Sequence, residues 1–342
     1  MLLISIRFLL ICLLISGYSC SNSEEAPSDA TIHTMGFAIK GISLVAPVKP
    51  VDETVMQPIV TIKANSIAIM PYAFCSTDNP LIRYNKKGKW WGESDEGVIS
   101  CIQLAHQKKL SVMLKPHLWI AHGMYTGAFT LKLENDWHLW EESYRAYILH
   151  FASLADSLKV EIFCIGTELG ATIKERPRYW SSLIDTIKQV YRGKLTYAAN
   201  WDDYKYFPFW KKLDYIGVDA YFPLIADKTP SVGSLNQSWI KYTAELYRIS
   251  TKNNRPILFT EYGYRNVDNN SAQPWKENEG SQNDEAQANA YDAFYQSFIG
   301  KKWFMGGYVW KWYGDHDNHR VHKIDYTPQG KPAAEVIKKW YE

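Results

Sequence analysis

The chain has 342 residues, of which 46% are hydrophobic and 15% aromatic, and its formal net charge at pH 7 is +2. Mixed charges without a basic stripe argue against nucleic acid as a partner and against a polybasic attachment to a membrane surface. The hydrophobic fraction is sufficient for one large core, and the 14 Trp and 23 Tyr suit either that core or a cleft that stacks on sugar rings.

The first 19 residues are predicted to be a secretory signal. Arg7 precedes an apolar run from Phe8 to Ile15, and small residues follow. That run is too short to cross a bilayer. We therefore expect the protein to be exported, and residues 20–34, which are polar, to be a tether outside the folded domain.

Cys20 stands at the position of the lipid-bearing cysteine of bacterial lipoproteins, although Gly17 occupies the place where Leu is usual. We expect a lipid on Cys20 and a location at the bacterial outer membrane or cell surface, with no other membrane contact. Ordinary signal cleavage that leaves Cys20 free is the alternative, and the protein would then be periplasmic or secreted.

The cysteines beyond the signal and Cys20 are Cys75, Cys101 and Cys164. An odd number without CxxC spacing argues against a disulfide framework and against a structural zinc site. Cys164 lies within an apolar strand pattern and is expected in the core. We expect no metal and no cofactor, and a monomeric protein.

Short apolar runs alternate with longer amphipathic segments after the tether. Several runs are continuously apolar, as expected of strands buried on both faces of a parallel sheet. Eight strands are predicted, at residues 36–44, 66–74, 110–119, 160–169, 195–201, 215–222, 256–264 and 304–312. Helices are predicted between and after them, at residues 94–105, 136–159, 180–191, 235–250, 284–300 and 332–341.

Eightfold strand–helix alternation predicts either a closed (β/α)8 barrel, the TIM barrel, or a doubly wound sheet. The number of strands favours the barrel, as one catalytic domain over residues 35–342. No GxGxxG motif follows the first strand, which weakens a dinucleotide-binding interpretation. Active sites of such barrels lie at the C-terminal ends of the strands.

Two glutamates, Glu168 and Glu261, follow strongly apolar runs at the ends of the fourth and seventh predicted strands. A carboxylate placed there is costly unless it is paired, hydrogen-bonded or used. The two would face each other across the barrel mouth, and hydrolysis of a glycosidic bond uses two carboxyl groups. The alternative is that they are barrel-rim residues held in salt bridges.

The motifs around these strand ends resemble glycoside hydrolase family 113, a β-mannanase family of the clan A retaining barrels. The resemblance extends over the whole predicted barrel and rests on WWGES at 90–94, MLKPH at 113–117, GTEL at 166–169, YAANW at 197–201, DYIGVDAY at 214–221 and FTEYGY at 259–264. It implies a retaining hydrolase in which Glu168 is the general acid/base and Glu261 the nucleophile. It implies β-1,4-mannan or related mannosides as substrate.

Thr167 departs from the wider clan, in which Asn usually precedes the acid/base and hydrogen-bonds the sugar 2-hydroxyl. Mannose differs from glucose at C2, where its hydroxyl is axial. A changed residue at this position is compatible with a mannoside, and it leaves the identity of the sugar open.

The resemblance and the strand-end positions suggest further substrate contacts. Tyr221 is expected to hydrogen-bond the nucleophile, and Trp310 to form the floor of the cleavage subsite. The remaining candidates are expected on the glycone side, against sugar hydroxyls and faces, or in a distal subsite: His117, Trp119, Asn200, Trp201, Tyr264 and Trp275. For the aromatic residues the alternative is packing in the core or at the rim.

Two other functions remain possible at this stage. One is a non-catalytic glycan-binding lipoprotein on the same scaffold, because fold alone does not imply activity. The other is the same chemistry on xylan, β-glucan or an acidic glycan, since Lys40, Lys115 and Arg265 near the mouth could suit a uronic acid. We interpret 315–319 (DHDNH) as a substrate-contacting or solvated loop rather than a metal site.

Overall fold

The computed structural model describes residues 36–85, 90–276, 280–314 and 323–342. The predicted signal, Cys20, the tether and the 315–319 segment lie outside these ranges. Within the described part, no helix is long and apolar enough to cross a membrane.

Eight parallel strands close into a barrel, as the alternation predicts. The barrel strands are β1 Ile39–Val45, β2 Ser66–Ile69, β4 Ser111–Leu114, β6 Ile162–Thr167, β7 Lys194–Asn200, β8 Ile216–Asp219, β9 Ile257–Tyr262 and β10 Phe304–Tyr313. They follow one another around the barrel in this order, and β10 pairs with β1 to close it. The fold is a (β/α)8 TIM barrel.

Helices connect the strands, and each predicted helix is present. They are α1 Gln57–Thr61, α2 Asp95–Gln107, α3 Glu134–Ser157, α4 Gly170–Glu175, α5 Pro177–Val190, α6 Val232–Asn253, α7 Asp284–Phe298 and α8 Pro332–Tyr341. The short helices α1 and α4 were not predicted. Helix α2 begins where the sequence indicates, because the Ser94 hydroxyl accepts a hydrogen bond from the Gly97 backbone N–H at 3.1 Å.

Two predicted strands are each divided in the structure. The runs at 66–74 and 110–119 leave the barrel at Pro71 and Pro116, and their second halves form β3 Tyr72–Cys75 and β5 His117–Ile120. These halves pair with each other as a separate parallel ribbon. Proline has no N–H to donate to a ladder, so the barrel pairing ends there and the ribbon carries Tyr72 and His117 beyond the barrel rim.

The barrel interior is apolar at one level and charged at another. Side chains from six strands form a small cluster: Ile39, Ala68, Met113, Ile162, Leu258 and Tyr308. Toward the C-terminal strand ends, Lys115, Asp219 and Glu261 are buried instead. Cys75, Cys101 and Cys164 are buried and form no disulfide, and Cys164 lies in the core as predicted.

Candidate active site

A cavity of about 680 Å³ lies at the C-terminal ends of the barrel strands. It is lined by Tyr72, His117, Leu118, Trp119, Tyr125, Thr126, Thr167, Glu168, Asn200, Trp201, Asp202, Asp219, Tyr221, Glu261, Trp275, Trp310 and Tyr326. Both predicted carboxyl groups are therefore in one cleft, together with eight of the nine predicted substrate contacts. We call this cavity the central cleft.

Glu261 belongs to β9 and is held from both sides by donors. Its Oε1 accepts a hydrogen bond from Lys115 Nζ at 2.6 Å, and its Oε2 accepts one from the Tyr221 hydroxyl at 2.8 Å. Burial raises the pKa of Glu261 to about 7, and the charge of Asp219 acts in the same direction. Lys115 opposes both effects, so Glu261 is the carboxyl group with fixed support for a negative charge.

Asp219, which lines the central cleft, forms a buried ion pair with Lys115. Lys115 Nζ lies 3.0 Å from Asp219 Oδ1, and the Thr260 hydroxyl donates to the same oxygen at 2.7 Å. Lys115 is fully buried and Asp219 nearly so. Burial opposes the charge on Lys115, yet Asp219 and Glu261 raise the pKa of Lys115 above its ordinary value, so it is a cation.

Glu168 directly follows β6 and has a different environment. Its backbone is left-handed, with φ of 51°, and its N–H donates to the Ala198 carbonyl at 2.8 Å. No described side chain donates a hydrogen bond to its carboxyl group. Burial, followed by the charges of Asp219 and Glu261, raises the pKa of Glu168 well above its ordinary value, which favours the protonated acid.

Two polar atoms in the cleft wall have no hydrogen-bond partner among the described residues, namely Thr167 Oγ1 and His117 Nε2. Burial and the charge of Lys115 lower the pKa of His117 well below its ordinary value. His117 is therefore neutral, and its 3.6 Å separation from Glu261 Oε1 is no ion pair. A buried polar atom without a partner is costly, so a bound ligand with hydroxyl groups would satisfy both.

Aromatic side chains form the walls on the side of β7. Asn200 Nδ2 donates to the Tyr125 hydroxyl at 2.6 Å, and Asn200 Oδ1 accepts from the Trp201 backbone N–H at 2.8 Å. The rings of Trp201 and Trp275 stack with centroids 5.0 Å apart. Trp275 is 43% exposed, and this pair offers a flat apolar surface of the kind that binds a sugar face.

Tyr264 does not reach the cleft, contrary to expectation. It is 2% exposed, and its ring packs against Tyr291 with centroids 5.5 Å apart. Its backbone carbonyl accepts a hydrogen bond from Gln287 Nε2 at 2.8 Å. The strand has ended two residues earlier, at Tyr262, so a position near a strand end does not by itself direct the Tyr264 side chain into the cleft.

The suggested basic site for a uronic acid is also absent from the described part of the mouth. Lys40 lies near the start of β1, at the opposite end of the barrel, and donates to the Tyr341 carbonyl. Lys115 lies below the cleft in its ion pair with Asp219, and Arg265 does not line the cavity. The sequence pattern does not indicate at which end of the barrel each of these side chains lies.

Several cleft residues were not among the predicted contacts. Tyr72 comes from the ribbon and Tyr125 from the loop after β5, while Tyr326 comes from the segment before α8. The Tyr326 hydroxyl donates to the Pro274 carbonyl at 2.5 Å, which ties this segment to the loop after β9. The strand pattern carries no signal for loop residues, and only the abundance of Tyr pointed to such a lining.

The central cleft contains one carboxyl group, Glu168, whose raised pKa favours the protonated form. It also contains a second, Glu261, whose negative charge is stabilised by hydrogen bonds from Lys115 and Tyr221. Such a pair can donate a proton to a leaving oxygen while the anion acts on the opposite side of the bond. Among the described residues, no group of three or more His, Cys, Asp or Glu side chains is placed to hold a metal ion.

Comparisons with known proteins agree with this site. The sequence matches the model of Glycoside Hydrolase Family 113 over residues 50–331, whereas comparison with curated proteins yields no significant match. Among solved structures, the GH113 β-mannanase AaManA from Alicyclobacillus acidocaldarius in complex with ManMIm is 23% identical, with a TM-score of 0.78 over 90% of this chain and 97% of that one.

Two further solved structures show how far the similarity extends. A GH113 β-1,4-mannanase complex is 23% identical with a TM-score of 0.76, covering 90% of this chain and 99% of that one. A β-glucuronidase from Ruminococcus gnavus is 13% identical with a TM-score of 0.62, covering 89% of this chain and 50% of that one. At these identities the structural likeness speaks for the barrel fold alone.

The family model covers more than half of the chain, so the assignment rests on sequence as well as on fold. The chain belongs to glycoside hydrolase family 113 and is an enzyme that hydrolyses glycosidic bonds in a carbohydrate substrate.

Proposed function

We propose that the chain is a retaining β-mannanase-like enzyme that cleaves β-1,4-mannan or related mannosides by double displacement, with Glu261 as nucleophile and Glu168 as general acid/base. The asymmetry between the two carboxyl groups carries this proposal. Lys115 and Tyr221 donate hydrogen bonds to Glu261, whereas no described side chain donates one to Glu168. Burial raises the pKa of Glu168.

In the first step, a Glu261 oxygen attacks the anomeric carbon and forms a glycosyl ester as the bond to the leaving oxygen breaks. Protonated Glu168 gives its proton to that oxygen, so the leaving sugar departs as a neutral alcohol. Glu168, now ionised, takes a proton from a water molecule that attacks the same carbon. The ester bond breaks, Glu261 leaves as a carboxylate, and the anomeric configuration is retained.

Two observations support a mannoside. Both GH113 structures described above are named as mannanases. The Thr167 hydroxyl, directly before Glu168, lines the cleft without a described partner. A hydrogen bond from it to the sugar near C2 is compatible with an axial hydroxyl. The burial of Lys115 in an ion pair removes one of the cations that suggested an acidic glycan.

The test measures reducing ends released from β-1,4-mannan, xylan and β-glucan by the wild type, Glu261→Ala and Glu168→Ala. We expect cleavage of mannan, with both variants reduced by at least ~10³-fold because each loses one half of the acid–nucleophile pair. Exposed Glu142→Ala on α3 is the matched control and should retain activity.

Azide separates the two roles, because a small anion can replace whichever carboxylate is missing. We expect azide to restore turnover of an activated aryl β-mannoside by both variants, giving the β-azide with Glu168→Ala and the α-azide with Glu261→Ala. Azides of the opposite configuration would contradict the assignment. Unchanged mannan hydrolysis by Glu261→Ala would refute the assignment of Glu261 as nucleophile. Absence of hydrolysis by the wild type on every glycan tested would instead favour a non-catalytic glycan-binding scaffold.

We also propose that the enzyme is exported and lipid-anchored through Cys20, which lies outside the described residues. The support is the apolar run before Cys20 and the polar tether after it. Incorporation of a labelled fatty acid into the wild type but not into Cys20→Ser would agree with the anchor. Equal labelling of both, or none in the wild type, would contradict it.

A further inference from the structure

The end of the barrel opposite the central cleft is strongly basic. Each helix of such a barrel returns the chain to this end, so the segments that lead from helices into the next strands lie there. They carry thirteen Lys and Arg against three Asp and Glu, whereas the whole chain has 38 against 36, so the remainder is net acidic. We call these segments the basal face, and they comprise residues 58–66, 104–111, 154–162, 187–194, 210–216, 250–257 and 295–304.

The three acidic side chains of the basal face already have partners. Asp156 Oδ2 lies 2.6 Å from Arg192 Nη2. Asp214 Oδ1 lies 3.0 Å from Lys194 Nζ, and Glu161 accepts a backbone hydrogen bond at 2.7 Å. The basal face therefore presents an uncompensated positive charge to the solvent. Five of its exposed lysines form no salt bridge within the described part of the chain: Lys63, Lys109, Lys159, Lys252 and Lys302.

Three of these lysines occupy backbone positions that favour glycine. Lys63, Lys109 and Lys159 follow the ends of α1, α2 and α3, with φ of 66°, 61° and 59°. A side chain in this left-handed conformation is less stable than glycine, although a cation near a helix C-terminus is stabilised by the helix dipole. The three precede β2, β4 and β6, which are neighbours in the barrel, and Lys109, Lys159 and Glu161 line one cavity of about 540 Å³. Their charges therefore lie on one side of the basal face.

This concentration of charge is not visible along the sequence. The basic residues are spread from Lys63 to Lys302 without forming a stripe, and for that reason the sequence predicted no membrane contact beyond Cys20. The barrel brings them together because every helix returns the chain to the same end. Strand β1 also begins at this end, at Ile39, so the upstream chain that carries Cys20 is joined to the barrel at the basal face.

We propose that the basal face binds a membrane surface rich in anionic phospholipid headgroups, and that the central cleft then points away from the membrane. The negative surface potential of such a membrane attracts each lysine close to it. The net acidic remainder of the chain is repelled by the same potential, which sets the orientation of the bound protein. This contact is additional to the proposed hydrolysis and requires no lipid on Cys20.

The experiment measures sedimentation of the Cys20→Ser chain with two kinds of vesicle, so that no lipid anchor contributes. One kind is phosphatidylcholine alone, and the other is phosphatidylcholine and phosphatidylglycerol in equal parts. We expect binding to the anionic vesicles only, and weaker binding as the salt concentration rises, because salt screens exposed charges. In the same chain, Lys63→Gln/Lys109→Gln/Lys159→Gln should weaken this binding at least about tenfold, since each lysine near an anionic surface contributes to it.

The matched control is Lys49→Gln/Lys132→Gln/Lys241→Gln, which removes the same charge from exposed positions in two loops at the cleft end and on α6. Its binding should stay within about twofold of that of the Cys20→Ser chain. Equal binding to both kinds of vesicle, no binding to the anionic ones, or equal losses in the two triple variants would overturn the proposal. So would a lower Tm with unchanged binding in the basal-face variant, because its lysines would then serve only the helix dipole.

Hydrolysis of soluble mannohexaose tests the orientation. With enough anionic vesicles to bind all of the enzyme, kcat/KM should be unchanged, because the cleft remains open to the solution. A loss of activity on binding would place the cleft against the membrane and contradict the proposed orientation. Vesicle binding itself requires no substrate, so its outcome is independent of the proposed function.

Discussion

Lys115 is the cation closest to the reacting groups among the described residues, and three carboxyl groups surround it. It contacts Asp219 and Glu261 directly, and its charge also acts on Glu168. One buried cation cannot compensate three buried anions. Lys115 stabilises the negative charge of the two carboxylates that it contacts more than that of Glu168, so Glu168 is the group that keeps its proton. The protonated form is the state that an acid catalyst needs at rest.

Asp219 is therefore expected to set the pH range of activity without touching the substrate bond. Among the neighbouring charges, that of Asp219 raises the pKa of Glu168 and of Glu261 the most. Replacing it with Asn removes that charge, so both carboxyl groups ionise more readily. We expect both limbs of the pH profile of kcat/KM for Asp219→Asn to move to lower pH, by about one unit.

The control for this prediction is Asp202→Asn, because Asp202 raises the pKa of Glu168 less than Asp219 does. Its alkaline limb should move in the same direction by a smaller amount. Since the carboxyl groups titrate as a coupled pair, the limbs report the pair rather than one residue. A profile for Asp219→Asn that moves to higher pH would contradict the electrostatic role. So would a kcat/KM that falls equally at every pH without a shift of either limb.

Single residues also show where sequence reasoning ends. The positions of Glu168 and Glu261 at strand ends were predictable, because an apolar run that stops at a carboxyl group is a local signal. The place of Lys115 was not, since the same MLKPH segment is compatible with a lysine at the rim or one below it. The structure shows that β4 ends at Leu114 and that the Lys115 side chain, directly after it, is fully buried in its ion pair with Asp219.

At the level of secondary-structure elements, the eight strand–helix units follow from periodicity, whereas the ribbon of β3 and β5 does not. Each half of a divided strand is as apolar and β-branched or aromatic as the other, so composition gives one long run. The partner of Tyr72 is His117, 45 positions along the chain, and such long-range pairing has no local signature. The ribbon matters because it positions His117 and Trp119 over the cleft.

The end of β9 shows an element held by close backbone approach. A Cβ at Gly263 would lie 2.4 Å from the Trp310 carbonyl oxygen, so only glycine lets the turn after Glu261 pack against β10 at this point. This contact joins the strand that carries Glu261 to the one that carries Trp310. The sequence shows the glycine within FTEYGY, but the neighbour that requires it is known only from the barrel closure.

For the whole molecule, the active site is a region where burial works against stability. Glu168 has its pKa raised above its ordinary value by burial, so the folded protein binds this proton more tightly than the unfolded chain. Between the unfolded pKa, about 4.3, and the raised folded pKa, the folded state is the more protonated one. Its free energy of unfolding must therefore decrease as the pH rises through that window.

Glu168→Gln removes this titration while keeping the shape of the neutral acid. At pH 4 both the variant and the wild type carry a neutral group, and we expect equal Tm values. At pH 8 ionisation of Glu168 penalises only the wild type, so we expect the variant to have the higher Tm, with a difference that grows steadily between these pH values. Thermal unfolding followed by circular dichroism at four or five pH values measures this difference in Tm.

The control is Glu142→Gln, at an exposed position on α3, whose Tm should differ from that of the wild type by the same amount at every pH. A Tm difference for Glu168→Gln that stays constant or shrinks with rising pH would contradict the burial argument.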